Sequence, residues 1–481
     1  MPDGPGDAAS AGTAAGYRAA EWRPGPMNHE PDFLQNLRAE FSGWRLWIDR
    51  AIVLGYAVLA GLFVVGFTHA AEWAFALFEG LFRRHPWAVL LWTPALTAAI
   101  VWATRRWFPG AAGSGIPQIK AALDPDLPSD QRGLFASLRL TLAKIGLGAA
   151  GFAAGLSVGR EGPSVQVAAG VMQHAKRWLS PGSTIDMRAL LVAGGAAGIA
   201  AAFNAPLAGV VFAIEELSGR LEARASGVII TGIVLAGLVA VSAFGNLSYF
   251  GVIRVPHLDW SLLGPGLAVA LLSGVAGGLF ARLLIASLTG APQRLNHWRR
   301  RYPVRFAAAC GLAVAVIGLV TGGVTYGAGS EAVKRMLHGE APLSPLYTLL
   351  KFIATWLTAW SGAPGGIFAP SLSIGAGIGD AIARLASPEF GPALIALGMA
   401  GFLAAVTQAP LTAFIIVMEM VDGHAMVLSL MASAMLASLV SRMISRPLYE
   451  TLAEHMVGAA TGRLAAQPQE PVAREEPPRS P

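Results

Sequence analysis

Uninterrupted apolar stretches are the feature of this 481-residue chain that most constrains its fold. A helix needs about 20 apolar residues to cross the hydrocarbon core of a bilayer. The long apolar stretches of this chain are 47–82, 89–103, 187–217, 227–244, 261–289, 306–326 and 393–420. They are continuous and rich in Ala, Leu and Gly, whereas the strands of a membrane barrel alternate apolar and polar residues. The sequence therefore predicts an all-α polytopic membrane protein.

The charged residues support this class and indicate an orientation. Only 13% of the residues are charged, whereas a soluble domain carries about a quarter. The net charge of +6 comes from Lys and Arg in short loops and flanks, where it fixes membrane orientation rather than binding nucleic acid. The clusters expected to face the cytoplasm are Arg38, Arg45, Arg50, Arg294, Arg299, Arg300, Arg301 and Arg305. We therefore expect a multi-pass protein of the cell inner (plasma) membrane with both termini in the cytoplasm.

Two motifs occur twice, once in each half of the chain. The segment 159–170 (GREGPSVQVAAG) matches 366–377 (GIFAPSLSIGAG), and 200–207 (AAAFNAPL) matches 404–411 (AAVTQAPL). The prolines of the first pair are 207 positions apart and those of the second pair 204. Helices rich in small residues resemble one another, but two matches at nearly equal offsets favour an internal duplication. Duplicated membrane proteins are often transporters whose interrupted helices meet near the bilayer midplane.

The expected organisation follows from this duplication. Residues 1–44 form an N-terminal tail and leading segment without the apolar core of a signal peptide. The first membrane repeat covers 45–250 and the second 251–455. Residues 456–481 are expected to be a disordered C-terminal tail.

The repeated Gly-x-x-small-Pro-Ser pattern is typical of a helix start deep within apolar sequence. Proline is tolerated in the first turn, and the unpaired N–H groups there attract anions. Inside a membrane no water satisfies these groups, so converging helix starts predict a weak, dehydrated anion site. A third segment of this kind is 113–117 (GSGIP). Its Ser114 stands at an N-cap position, where the hydroxyl would either cap the helix or donate to a ligand.

These motifs together resemble those of the CLC family of chloride channels and chloride/proton exchangers. The likeness covers about 45–455. The motifs are, in order, GSGIP at 113–117, GREGP at 159–163, FNAPLAG at 203–209 followed by Glu215 and Glu216, GIFAP at 366–370 and RPLY at 446–449.

The resemblance implies a fold and a set of anion ligands. Family members are homodimers with one anion pathway per subunit, built from inverted repeats whose broken helices meet at a mid-membrane anion site. The hydroxyls of Ser114 and Tyr449 would donate to a central anion. The backbone amides of Ile367 and Phe368 would contact the same ion.

Glu161 resembles the gating glutamate of the family. The backbone amides of Arg160, Glu161 and Gly162 would frame an outer anion site. A carboxylate at a helix start can occupy the place of the anion as a tethered competitor, and protonation releases it. The alternative for Glu161 taken alone is a salt bridge with a loop arginine, such as Arg160.

Glu216 matches the intracellular proton-relay glutamate of exchangers, which channels usually replace. It ends an apolar run, where a charge is costly and therefore functional by default. The alternative is an interfacial acid at a helix end, for which the neighbouring Glu215 is the better candidate.

Three features modify the resemblance. Gln118 stands where the family usually has Glu, which would alter electrostatics at the cytoplasmic side. Ser114 favours chloride, because relatives that prefer nitrate have Pro there. Lys144 lies among small residues, so we expect it to pair with a carboxylate or to supply positive potential. About 30 residues follow Tyr449, so the nucleotide-sensing CBS domains of larger relatives are expected to be absent, as in prokaryotic members.

The predicted function is exchange of chloride for protons, with no cofactor. The alternatives are a passive chloride channel of the same fold and a fluoride/proton exchanger. We expect no metal site, because the nine His residues show no paired ligand spacing. An intramembrane enzyme would need a nucleophile with a base or a metal pair, and the sequence shows no such constellation.

Overall fold

The computed structural model describes residues 44–218, 226–245, 250, 260–290, 294–340, 344–386 and 388–465. Residues Ile48–Pro481 form one compact unit. Of the other unit, Met1–Trp47, only the last four residues are described, as the start of the first helix. The expected N-terminal tail, Arg38 and the segment 466–481 lie outside the described residues.

Eighteen α-helices account for most of the described residues. They are α1 (Trp44–Arg84), α2 (Val89–Trp107), α3 (Ile116–Leu123), α4 (Leu138–Ala153), α5 (Glu161–His174), α6 (Met187–Phe203), α7 (Pro206–Phe212), α8 (Ser226–Phe244), α9 (Leu263–Thr289), α10 (Arg294–Arg301), α11 (Pro303–Val320), α12 (Ser330–Leu337), α13 (Tyr347–Ser361), α14 (Phe368–Ala386), α15 (Gly391–Thr407), α16 (Pro410–Met420), α17 (Val427–Arg442) and α18 (Leu448–Ala465).

Eight helical segments among the described residues are long and apolar enough to cross a membrane. They are Trp44–Arg84, Pro86–Trp107, Ser129–Ala153, Gly227–Phe244, Trp260–Thr289, Pro303–Val320, Pro388–Thr407 and His424–Arg442. The prediction of an all-α polytopic membrane protein is confirmed.

Two of the apolar stretches are not single helices. The stretch 187–217 is divided between α6 and α7, and 393–420 between α15 and α16. Asn204 and Gln408 end the first helix of each pair in the left-handed conformation, with φ of 56° and 60°. A proline then opens the second helix, since its missing N–H costs nothing in a first turn. The predicted repeat is therefore present as matching broken helices.

Two matched glutamates join the halves. Glu215 accepts hydrogen bonds from two backbone N–H groups in the first turn of α16, at 3.0 and 2.7 Å. Glu419 accepts two from the first turn of α7, at 3.2 and 2.7 Å. Each carboxylate thus caps the positive end of a helix in the opposite half. Glu215 therefore caps a helix, whereas the sequence suggested an interfacial acid at this position.

Two matched lysines are fully buried. Lys144 Nζ donates to the carbonyls of Ala111 and Gly113, before α3, at 2.8 and 2.6 Å. Lys351 Nζ donates to the carbonyls of Thr325 and Gly327, before α12, at 2.9 and 2.8 Å. Among the described residues, backbone carbonyls rather than the expected carboxylate accept the hydrogen bonds of Lys144. The same contacts identify α12 as the second-half counterpart of α3.

The C-terminal end differs from its prediction. Helix α18 continues to Ala465, so residues 456–465 of the expected disordered tail are helical. Leu452, Ala453 and Val457 are buried, and α18 packs against α3 and α9. These apolar contacts stabilise the helix beyond the predicted boundary of the second repeat.

Candidate functional site

The three motif loops meet at one place. Gly159 and Gly366 exchange two backbone hydrogen bonds, both 2.8 Å long, as an isolated antiparallel bridge. The N–H of Gly365 donates to the carbonyl of Gly113 at 3.1 Å. Helices α5 and α14 therefore begin side by side, next to the loop that precedes α3. The first turns of two helices direct unpaired N–H groups into a shared space.

Glycine is required where these loops touch. A Cβ at Gly162 would collide with the Ser114 hydroxyl and would come within 3.3 Å of the Gly366 Cα. A Cβ at Gly115, whose φ is +112°, would lie 2.7 Å from the Gly162 carbonyl oxygen. Only glycine fits at these positions, so the backbone N–H groups of the loops line the space between the helix starts directly.

Two hydroxyl groups face this space without a partner. The hydroxyls of Ser114 and Tyr449 are buried and make no hydrogen bond within the described part of the chain. They lie next to each other. An unsatisfied buried hydroxyl is costly, so both are free to donate to a ligand that enters.

Ser114 does not cap α3, so the capping alternative is wrong. The N-cap residue is Gly115, and its N–H donates to Gln118 Oε1 at 2.9 Å. Gln118 Nε2 donates to the carbonyl of Ala112, and the residue is 2% exposed. The buried amide of Gln118 therefore stabilises the start of α3. We had expected Gln118 to alter the electrostatics at the cytoplasmic side, but its side chain is not exposed there.

Aromatic rings close one end of the space. The Phe368 ring lies 6.2 Å from that of Phe203 and 6.0 Å from that of Tyr449, centroid to centroid. Ile367, one residue before α14, is also buried. Tyr449 and the segment Ile367–Phe368 are thus close in space to Ser114, although they lie far from it in the sequence.

Glu161 places a carboxyl group where the helix starts converge. Its side chain is 3% exposed and lies beside the backbone N–H groups of Arg160 and Ala369. A Cβ at Gly159 would collide with Glu161 Oε2, so the absence of a side chain there makes room for the carboxyl group. Arg160 forms an ion pair with Glu72 of α1 at 2.7 Å. The contact with Ala369 was not predicted from the sequence.

A cavity of about 590 Å³ leads to Glu161. Its charged lining residues are Glu72, Glu79, Arg83, Arg160, Glu331 and Arg335. The cavity connects the carboxyl group with one face of the protein, so water and ions can reach it from that side.

Glu216 lies in a π-helical turn, Ala213–Ser218, and is 9% exposed. Lys120 Nζ lies 2.8 Å from Glu216 Oε1. The sequence reasoning missed Lys120, although a cation within a short apolar helix is a signal for a partner acid.

The sequence reasoning also missed Lys351. It stands 207 positions after Lys144, the same offset as the first pair of prolines, so the repeat itself was the signal. Within the described ranges, no group of three or more His, Cys, Asp or Glu residues is arranged to hold a metal ion.

Fold and site together define a duplicated helical membrane protein with helix starts converging on a buried, backbone-lined space. A family model described as "Voltage gated chloride channel" matches residues 96–442. This chain belongs to that family, the CLC proteins.

Relatives in sequence and structure agree with this assignment. The chain is 30% identical over 449 residues to the H(+)/Cl(-) exchange transporter ClcA of Citrobacter koseri, covering 88% of this chain and 93% of that protein. It is similar to the crystal structure of a slow cyanobacterial Cl-/H+ antiporter, with a TM-score of 0.72 and 26% identity. That match covers 86% of this chain and 99% of the other. A CLC-type fluoride/proton antiporter, 22% identical with a TM-score of 0.68 over 85% of this chain and 98% of that one, shares the fold.

Proposed function

We propose that this protein exchanges chloride for protons across the membrane. The observation that supports this most directly is the Glu161 carboxyl group, buried where the starts of α5 and α14 converge. A carboxylate in this place is the negative charge that converging N–H groups favour. An anion and this carboxylate therefore compete for the same donors.

The anion steps follow from this competition. When Glu161 is protonated, it loses its negative charge and no longer competes with an anion for the nearby backbone N–H groups, so an anion can replace it. The amides of Arg160, Glu161 and Gly162 then frame an outer position. The hydroxyls of Ser114 and Tyr449 and the amides of the Ile367–Phe368 segment hold an inner one. The hydroxyls and backbone N–H groups carry only partial charges, so they hold the ion weakly enough for it to leave as well as enter.

The proton steps use the two carboxyl groups. Glu161 takes or gives a proton at the cavity that it adjoins. Glu216, buried in the π-helical turn, passes the proton between Glu161 and the other side of the membrane. Because the anion and the carboxylate of Glu161 compete for one place, the movement of each ion is linked to that of the other in the wild-type protein.

A reversal-potential measurement tests the exchange. Purified protein in a planar bilayer is exposed to opposed chloride and proton gradients. We expect a reversal potential that moves when pH changes at fixed chloride. Reversal at the chloride Nernst potential, unaffected by pH, would establish a passive channel instead. Replacing chloride by fluoride in the same bilayer distinguishes a fluoride/proton exchanger, which would transport fluoride in preference to chloride.

We also propose that the protein is a homodimer in the cell inner membrane with both termini in the cytoplasm. Leu207 and Leu411 occupy matched positions on α7 and α16, which contact each other, and are 48% and 42% exposed. The proposal of a dimer rests on the resemblance to the CLC family, whose members are homodimers, and this exposed apolar surface is compatible with a second copy within the bilayer. Light scattering of the detergent-solubilised protein should give twice the mass of one chain, and a monomer mass would contradict the dimer.

A C-terminal reporter active only in the cytoplasm tests the orientation.

A further inference from the structure

The Lys120–Glu216 ion pair has no part in the mechanism above. Its two side chains are 20% and 8% exposed, so water screens the charges little. The pair joins α3 to the π-helical turn after α7. A buried cation at 2.8 Å from the relay carboxyl group must influence every protonation step there.

Lys120 differs in sign from the other charged groups near Glu216. The charged groups that act most strongly on Glu216 are Lys120, Glu215 and Glu450. Both acids oppose a negative charge on Glu216. Glu215 is held by the first turn of α16. Lys120 is therefore the group that balances the carboxylate form of Glu216.

Helix α3 fixes the position of Lys120. The helix is held at its start by Gln118 and packs against α18, which carries Tyr449. Ser114 lies just before the same short helix. Lys120 thus lies on one of the two packed helices, α3 and α18, that position the hydroxyls of Ser114 and Tyr449. From α3 its side chain extends to Glu216.

We propose that Lys120 is a positioning residue for proton transfer at Glu216. It holds the carboxyl group at the end of the pathway and balances the negative charge left each time a proton departs. A buried carboxylate without a partner is strongly unfavourable. Without the cation, Glu216 remains protonated, and proton transfer stalls while the anion path stays open. This inference rests on the proposed exchange function.

The test compares lysine variants in the bilayer assay. Lys120→Met removes both charge and hydrogen bond, Lys120→Gln keeps an amide donor, and Lys120→Arg keeps the charge. We expect Lys120→Met and Lys120→Gln to lower the ratio of proton to chloride flux on the order of tenfold. Lys120→Arg should restore most of it. The control is Lys334→Met, on the matched helix α12, where Lys334 is exposed and the flux ratio should not change.

A double variant separates the relay from the anion path. Chloride flux in Lys120→Met/Glu216→Gln should equal that in Glu216→Gln, because Lys120 acts through Glu216. A further fall in chloride flux would overturn the proposal, and so would a loss in Lys120→Arg as large as in Lys120→Met.

The two proposals fail in different ways. A wild-type reversal potential insensitive to pH would refute the exchange function, and the role of Lys120 with it. Normal coupling in the wild type together with normal coupling in Lys120→Met and Lys120→Gln would refute the role of Lys120 alone.

Discussion

The two halves of the chain agree in their supporting contacts and differ at the positions nearest the ion pathway. Both halves bury a lysine under two backbone carbonyls, as Lys144 and Lys351 do. Both also supply a glutamate that caps a helix of the other half, Glu215 in one and Glu419 in the other. These residues build the same scaffold twice.

The differences lie at three matched positions. Glu161, Ser114 and Glu216 of the first half correspond to Phe368, Ala328 and Met420 of the second. Each replacement removes a hydroxyl or carboxyl group. The duplicated scaffold therefore places two helix starts together, and at these three matched positions only the first half carries a hydroxyl or carboxyl group.

The largest expected effect is that of Glu161→Gln. This change removes the carboxyl group, which the matched position of the second half, Phe368, also lacks. Glutamine cannot carry a proton, so proton transport should fall by about 100-fold or more. Chloride flux should continue, because the neutral side chain no longer competes as an anion. Flux assays in liposomes measure both ions. Glu389→Gln, which changes an exposed acid in the short turn before α15, is the control and should keep its coupling.

Chloride-driven proton uptake that persists in Glu161→Gln would contradict this difference between the halves. The proton would then have to enter through another group.

The second-largest effect is expected for Glu216→Gln. This change again removes a carboxyl group that the matched residue of the second half, Met420, lacks. Proton transport should fall about tenfold or more, since no carboxyl group remains to pass the proton inward. Glu161 can still protonate from its cavity, so chloride flux should keep its dependence on the pH of that side. If chloride flux in this variant loses its response to pH on both sides, the two glutamates do not act independently.

The buried lysines test whether a shared contact has the same consequence in both halves. Lys144→Met and Lys351→Met should destabilise the protein comparably, because each leaves two buried carbonyls without donors, at about 1–3 kcal/mol each. Only Lys144→Met should also weaken chloride binding, about tenfold, because the Gly113 carbonyl adjoins Ser114. Thermal unfolding and calorimetric chloride titration measure the two quantities. Equal losses of chloride affinity would show that both lysines serve the anion site.

The smallest effects are expected for the reciprocal glutamates. Glu215→Gln and Glu419→Gln should each cost about 0.5–2 kcal/mol, the range for loss of a helix cap. Coupling should be unchanged in Glu419→Gln and retained in Glu215→Gln, where loss of a neighbouring negative charge favours the carboxylate of Glu216, in contrast to Glu216→Gln. Thermal unfolding and the liposome assay check this pair. A loss of proton transport in Glu215→Gln would assign Glu215 to the proton path.

Long apolar runs and paired motifs sufficed to predict the membrane class, the repeat and the meeting of distant loops. Periodicity alone did not reveal that 187–217 and 393–420 are broken, because the breaks depend on single residues, Asn204 and Gln408, in the left-handed conformation. The extension of α18 depends on packing against α3 and α9, and these distant contacts cannot be read from the local sequence.

Side-chain pairs across long separations were the least predictable part. Lys120 meets Glu216 across 96 positions. Gln118 looked like a substitution at a charged site, yet both ends of its amide bind backbone before α3. Lys351 was visible only by applying the repeat offset to Lys144. Such contacts follow from tertiary geometry rather than from local pattern.

Proton uptake driven by chloride is the most direct test of the exchange. Liposomes containing the wild-type protein and high chloride are diluted into weakly buffered, low-chloride medium at equal pH, with potassium and valinomycin setting the membrane potential. As chloride leaves, the medium should become alkaline because protons enter in exchange. Chloride efflux without any change in external pH would contradict the account.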